Sequence, residues 1–146
     1  MKLSTKSTYG LRAMLTIAAN GKRHATSITD IAKKEVISVT YLEQLLNKLR
    51  RSGLVASVRG PKGGYVLSKS ASAITVADIV RTLEGSIYPV DCATRGTDGD
   101  SCKRGKSCVP KLVWHKLAKA INDCLESVTL EDLCDEAVKI DRRRIS

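Results

Sequence analysis

Residues 27–68, SITDIAKKEVISVTYLEQLLNKLRRSGLVASVRGPKGGYVLS, carry two helical patterns and a hairpin pattern in direct succession. The spacing predicts a short helix from about Thr29 to Lys34 and a longer one opening near Ser38, with Leu42, Leu45, Leu46 and Leu49 on one face. Ala32 is small enough for the close helix crossing of a helix-turn-helix, and Val36-Ile37 is expected to plug the core beneath the turn. Gly53 ends the second helix. Beyond it, apolar residues alternate on either side of Gly60-Pro61-Lys62-Gly63-Gly64, the pattern of two strands joined by a Gly/Pro turn. A basic-tipped hairpin after a helix-turn-helix is the wing of a winged helix, with Arg59 and Lys62 at its tip. An ordinary two-stranded edge with a solvated loop is the alternative, and the order helix, turn, recognition helix, basic hairpin favours the wing.

On the N-terminal side, Leu11, Met14, Leu15 and Ala18 recur at helical spacing, which predicts a helix over 7–19 with Ser7 and Thr8 as caps and Asn20-Gly21 as its end. On the C-terminal side, TVADIVRTLEG (75–85) is a further helix, with Thr75 and Asp78 in capping-box positions. A polar, Gly-rich segment follows, and Pro110 suits the first turn of a long helix. Leu117, Ile121, Leu125 and Val128 form a stripe along it at roughly four-residue steps. Such a stripe beyond a small domain needs a partner, and a second copy of the chain is the simplest; packing on its own domain is the alternative. TLEDLCDEAV (129–138) predicts a short acidic amphipathic helix, and DRRRIS (141–146) a frayed tail. The fold class is mainly α with a small β-hairpin wing: a winged helix-turn-helix over 1–83, a cysteine-bearing loop over 84–109, and a dimerisation helix with a short terminal helix over 110–146.

Charge assigns a partner to the first of these parts. The chain has 146 residues and a formal net charge of +10, and residues 1–83 hold 14 Lys/Arg against 4 Asp/Glu while residues 84–146 hold 11 of each. A polyanion releases counterions for every phosphate neutralised, whereas a merely soluble surface gains nothing from such asymmetry. Nucleic acid is therefore the expected ligand, and the helix-turn-helix with its wing makes it double-stranded DNA. No run of apolar residues is long enough for a signal peptide or a membrane span, so a cytoplasmic protein without membrane association is expected.

DNA contacts follow from position. Ser38 and Thr40 open the recognition helix, and Tyr41, Glu43 and Gln44 lie on its early turns, where side chains approach phosphates and base edges. Glu43 repels DNA unless it accepts from a cytosine amino group, which makes it a discriminator; a solvated Glu paired with Lys48 or Asn47 is the competing reading. Arg59 is placed to enter a minor groove, and Lys2, Lys6, Lys62 and Arg51 are phosphate contacts.

Three of the five cysteines, Cys92, Cys102 and Cys108, fall in one stretch with intervals of nine and then five residues. That is too irregular for the paired knuckles of a zinc ribbon. Lys103, Arg104, Lys106 and nearby glycines supply the positive potential and backbone donors that thiolates need. Soft sulfur donors suit an iron–sulfur cluster, zinc or copper(I), and unligated redox thiols are a further reading. Cys124 and Cys134 lie on apolar helix faces and are read as buried small hydrophobes. An enzyme using Cys108 and His115 as nucleophile and base finds no accompanying cleft or oxyanion motif.

SVTYLEQLLNKLRRSGLV, SVRGPKGGYVLSKSAS and the three-cysteine segment followed by Trp114 strongly resemble the IscR-type winged-helix regulators, which include NsrR, RirA and CymR. The resemblance runs from MKLSTKSTYGLRAML to VTLEDL. It implies a homodimeric bacterial transcription regulator whose DNA binding is controlled by an iron–sulfur cluster on Cys92, Cys102 and Cys108. CymR-like members imply the alternative, a cluster-free regulator controlled by a protein or small-molecule partner. In members of the family the matching Glu43 helps decide which class of site is bound. This chain departs from the family at the fourth ligand: a His three residues after the third cysteine is here Lys111, and a carboxylate near the partner's N-terminus is here Thr8. His115, the carboxylates Asp91, Asp98 and Asp100, or an exogenous donor are the candidates left.

Overall fold

The computed structural model describes residues 3–90 and 107–145. Lys2, Cys92 and Cys102 lie outside them, as do Asp91, Asp98 and Asp100. Six helices and one hairpin follow in order: α1 (Thr5–Ala19), α2 (Ile28–Glu35), α3 (Val39–Arg51), β1 (Val55–Val58), β2 (Gly64–Leu67), a 3-10 turn (Ala71–Ala73), α4 (Val76–Glu84), α5 (Lys111–Glu126) and α6 (Leu130–Ile145).

The leucines at 42, 45, 46 and 49 face inward as their period requires, and each is at most 2% exposed. They meet Ile31 and Ala32 of α2 and Ala13, Met14 and Ile17 of α1 in the main core. α1 and α4 cross closely because position 10 is glycine: a Cβ there would stand 2.1 Å from Leu83 Cδ1. β1 and β2 pair antiparallel, Val55 with Leu67 through Val58 with Gly64. Thr26 forms an isolated antiparallel bridge to Tyr65 on the other side of β2, through reciprocal backbone bonds of 2.9 and 2.8 Å. Gly64 permits that approach, since its φ is 152° and a Cβ would lie 2.1 Å from the Thr26 carbonyl oxygen.

Local signals place most helix starts. Ser27 and Ser38 cap α2 and α3 by accepting from the backbone N–H of Asp30 and Tyr41. Thr75 and Asp78 close a reciprocal capping box at α4 (2.9 and 3.1 Å), and Thr129 and Asp132 close another at α6 with the same distances. The two starts lie side by side, where Val76 donates to the Val128 carbonyl and Leu130 to that of Ile74.

Five expectations are corrected. Helix α1 begins at Thr5 with Ser4 as its cap, so Ser7 is a buried helical residue instead of a cap. Val36 does not plug the core: it ends α2 in the left-handed conformation (φ 55°) and is 88% exposed, while Ile37 alone packs inward. The final helix is long, and residues 141–145 continue it. The fully buried Leu130 anchors its start, and Arg142, Arg143 and Arg144 in its last turn complement the helix dipole. The stripe on α5 does not act as a unit. Ile121, Leu125 and Val128 pack on Val76, Val80 and Ile87 of their own chain, leaving only Leu117 outward. Cys124 is exposed, because it lies on the outer face with Val113, Leu117 and Ala120; Cys134 is half-buried, and that burial pushes its thiol pKa up.

Candidate nucleic-acid interface

Two elements, the start of α3 and the hairpin tip, present most of the expected DNA contacts. At the start of α3, Ser38 spends its hydroxyl on the cap (3.3 Å), while Thr40, Glu43 and Gln44 are exposed. Asn47 accepts from Arg50 (2.8 Å) and is not engaged by Glu43. Tyr41 sits differently. It is half-buried, its ring meets that of Tyr9 edge-on at 6.1 Å, and its hydroxyl is 3.1 Å from the Thr5 hydroxyl. The Arg12 guanidinium lies over the other member of the pair, 5.8 Å from the Tyr9 ring centre. Tyr41 thus braces α3 against α1.

The hairpin tip holds Arg59 and Lys62, both exposed, on a turn closed by the Gly63 N–H donating to the Gly60 carbonyl (2.9 Å). Lys6 is exposed near the start of α1, and Arg51 ends α3, also exposed. Among the described residues none of these four cations is held in an ion pair.

Periodicity gives no hint of a further cluster at the start of α1. Glu84 Oε1, on the last residue of α4, accepts from the Ser4 N–H (2.9 Å), the Ser4 hydroxyl and the Ser7 hydroxyl (2.7 Å). The Ser4 hydroxyl, opposed by burial and supported by Ser7, holds the Glu84 carboxyl below its ordinary pKa of 4.5. Hydrogen bonds across 80 and 77 positions leave no local trace in a sequence.

Of the three clustered cysteines, Cys108 is described: a half-buried free thiol whose carbonyl accepts from the Lys111 N–H at the start of α5. His115 is exposed and lines a cleft of about 700 Å³ with Arg81, Tyr88, Lys119 and Asn122. The charges there are matched, because Arg81 donates to Asn122 and Glu126, and Lys119 pairs with Asp123. Among the described residues no three His, Cys, Asp or Glu side chains gather as a metal site, and no helix is long and apolar enough to cross a membrane.

Residues 3–136 match the Rrf2 model, described as "Iron-dependent Transcriptional regulator". The HTH-type transcriptional regulator IscR of Erwinia tasmaniensis is 39% identical over 133 residues, covering 91% of this chain and 78% of that one. CymR, the global cysteine regulator of B. subtilis, superimposes with a TM-score of 0.75 at 41% identity, over 93% of this chain and 98% of that one. IscR of T. potens does so with a TM-score of 0.75 at 39% identity, over 94% and 88%.

Proposed function

The chain belongs to the Rrf2 family of winged-helix transcriptional regulators, and from that premise we propose that it is a homodimer whose DNA binding is governed by an iron–sulfur cluster on Cys92, Cys102 and Cys108. The observation that carries the proposal is the union, in one short chain, of a basic helix-turn-helix and wing with three clustered cysteines, the last of them at the mouth of α5. Residues 1–83 bind DNA, 84–109 hold the cofactor and 110–146 dimerise.

On DNA, Thr40, Glu43 and Gln44 enter the major groove, Arg59 a flanking minor groove, and Lys2, Lys6, Lys62 and Arg51 meet phosphates; Ser38 approaches with the helix N-terminus it caps. Tyr41 contributes by bracing α3. The dimer seam is the outer face of α5, where Val113, Leu117, Ala120 and Cys124 follow one another at helical spacing and Leu112 and Trp114 are exposed beside them. A cluster at the root of α5 supplies a redox- and iron-sensitive link near both seam and DNA-binding domain. Its thiolate donors are the three cysteines, and His115, a carboxylate or an exogenous donor completes the set.

The test is purification without oxygen, followed by iron and acid-labile sulfide analysis and titration of a DNA duplex chosen by the protein from a randomised pool. Stoichiometric iron and sulfide with selective DNA binding is the expected result. One observation favours a second reading, a cluster-free regulator controlled by a protein or small-molecule partner: Lys111 occupies the place of a ligating His. Selective DNA binding without iron or sulfide would establish it. The relatives are named as transcriptional regulators, and the chain is not an enzyme.

A further inference from the structure

We infer that Glu84 is a positioning residue for sequence recognition, tying the end of α4 to the recognition helix through the first turn of α1. The inference rests on the DNA-binding reading above. Three donors converge on one carboxylate oxygen, and two of them, the N–H and hydroxyl of Ser4, belong to the cap that starts α1. The next residue, Thr5, holds the Tyr41 hydroxyl at 3.1 Å, and one turn further on Tyr9 receives the Tyr41 ring. Tyr41 is in the first turn of α3, where a small rotation moves Thr40, Glu43 and Gln44 against a base edge. Glu84 is also the last helical residue before the chain runs on toward Cys92. A carboxylate with no expected contact to DNA thereby sets the register of the side chains that make contact.

This arrangement separates a positioning role from a phosphate contact. Phosphate contacts add affinity on any sequence, whereas tilt of a recognition helix is felt only where base edges are read. The full-length protein is titrated against its selected duplex and a scrambled duplex of equal length. Glu84→Ala is expected to weaken the selected duplex about tenfold and the scrambled one less than about twofold. Glu84→Gln keeps an oxygen acceptor and is expected to recover most of the loss. Tyr41→Phe is expected to cost less in the Glu84→Ala background than in the parent, because both changes cut the same chain of contacts.

Equal losses on both duplexes, or additive losses in the double variant, would overturn the inference. If circular dichroism shows Glu84→Ala unfolded, Thr5→Val carries the test, since Thr5 is exposed and its hydroxyl is the link to Tyr41. Parental selectivity in Thr5→Val would then overturn the inference. A parent protein that selects no sequence from the pool would overturn the DNA-binding reading itself, whereas a selective parent with an unaffected Glu84→Ala overturns this inference alone.

Discussion

Val36→Gly is expected to stabilise the protein, although it removes a hydrophobic side chain from the centre of the helix-turn-helix. Val36 has φ 55° and is 88% exposed. The left-handed conformation costs an L-residue about 1–2 kcal/mol, and a β-branched side chain sits there least easily. Burial returns little: with about an eighth of its surface covered, Val36 gains only ~0.2–0.3 kcal/mol of the ~2 kcal/mol that full burial would give. Glycine removes the strain but gives back about 0.5–1 kcal/mol through the greater freedom of the unfolded chain. The net gain is about 0.5 kcal/mol, a rise in melting temperature of ~1–2 °C for a chain of this size. Val36→Ala forfeits the same small burial and, lacking the β-branch, relieves only part of the strain, so it is expected between the parent and Val36→Gly. Thermal unfolding followed by circular dichroism at one fixed protein concentration reads all three proteins. A Val36→Gly midpoint below the parent, or equal to that of Val36→Ala, would refute the strain argument.

Arg59→Ala is expected to weaken the selected duplex more than a scrambled one, by roughly 1–3 kcal/mol, since loss of a groove contact is sequence-dependent; fluorescence anisotropy with both duplexes checks it. Leu117→Asp, on the outer face of α5, is expected to give a folded monomer in analytical ultracentrifugation. Ile121→Asp, packed on α4, is expected to lower stability by several kcal/mol in urea titration. Lys111→His is expected to slow loss of iron to oxygen or chelator, measured by absorbance decay, with Cys92, Cys102 and Cys108 each required and Cys124 and Cys134 dispensable. On acidification, Glu84 and Asp132, both with lowered folded pKa values, contribute stability that is present above their unfolded values and lost as pH falls through the folded ones. Urea midpoints are therefore expected to fall below about pH 4.5, and less steeply in Glu84→Gln.

What the sequence revealed and what it withheld divide along physical lines. The helix-turn-helix was legible because four leucines at helical spacing admit one inward face, and because Ser38, Thr75 and Asp78 form caps within three residues of themselves. The wing was legible for the same local reason. The packing of α5 was not, since two apolar stripes run along it: Ile121 and Leu125, continued by Val128 just past its end, on one side, and Val113, Leu117, Ala120 and Cys124 on the other. Spacing alone mixes them; packing against α4 sorts them. The tail at 141–145 read as frayed because chain ends commonly are, whereas three arginines in a last helical turn favour the helix. Among the candidate DNA contacts, Tyr41 was named for its position on α3, whereas its bracing against Thr5 and Tyr9 depends on tertiary contacts 36 and 32 positions away. Glu84 gave no signal at all.

The most direct test of cluster-controlled DNA binding is the dissociation constant of anaerobically purified protein on its selected duplex, measured by anisotropy before and after iron is removed under conditions that preserve the fold. The account predicts that the two values differ by about tenfold or more, a coupling of ~1.4 kcal/mol between cluster and DNA. Equal values from a preparation shown to hold iron and sulfide at the outset would contradict it.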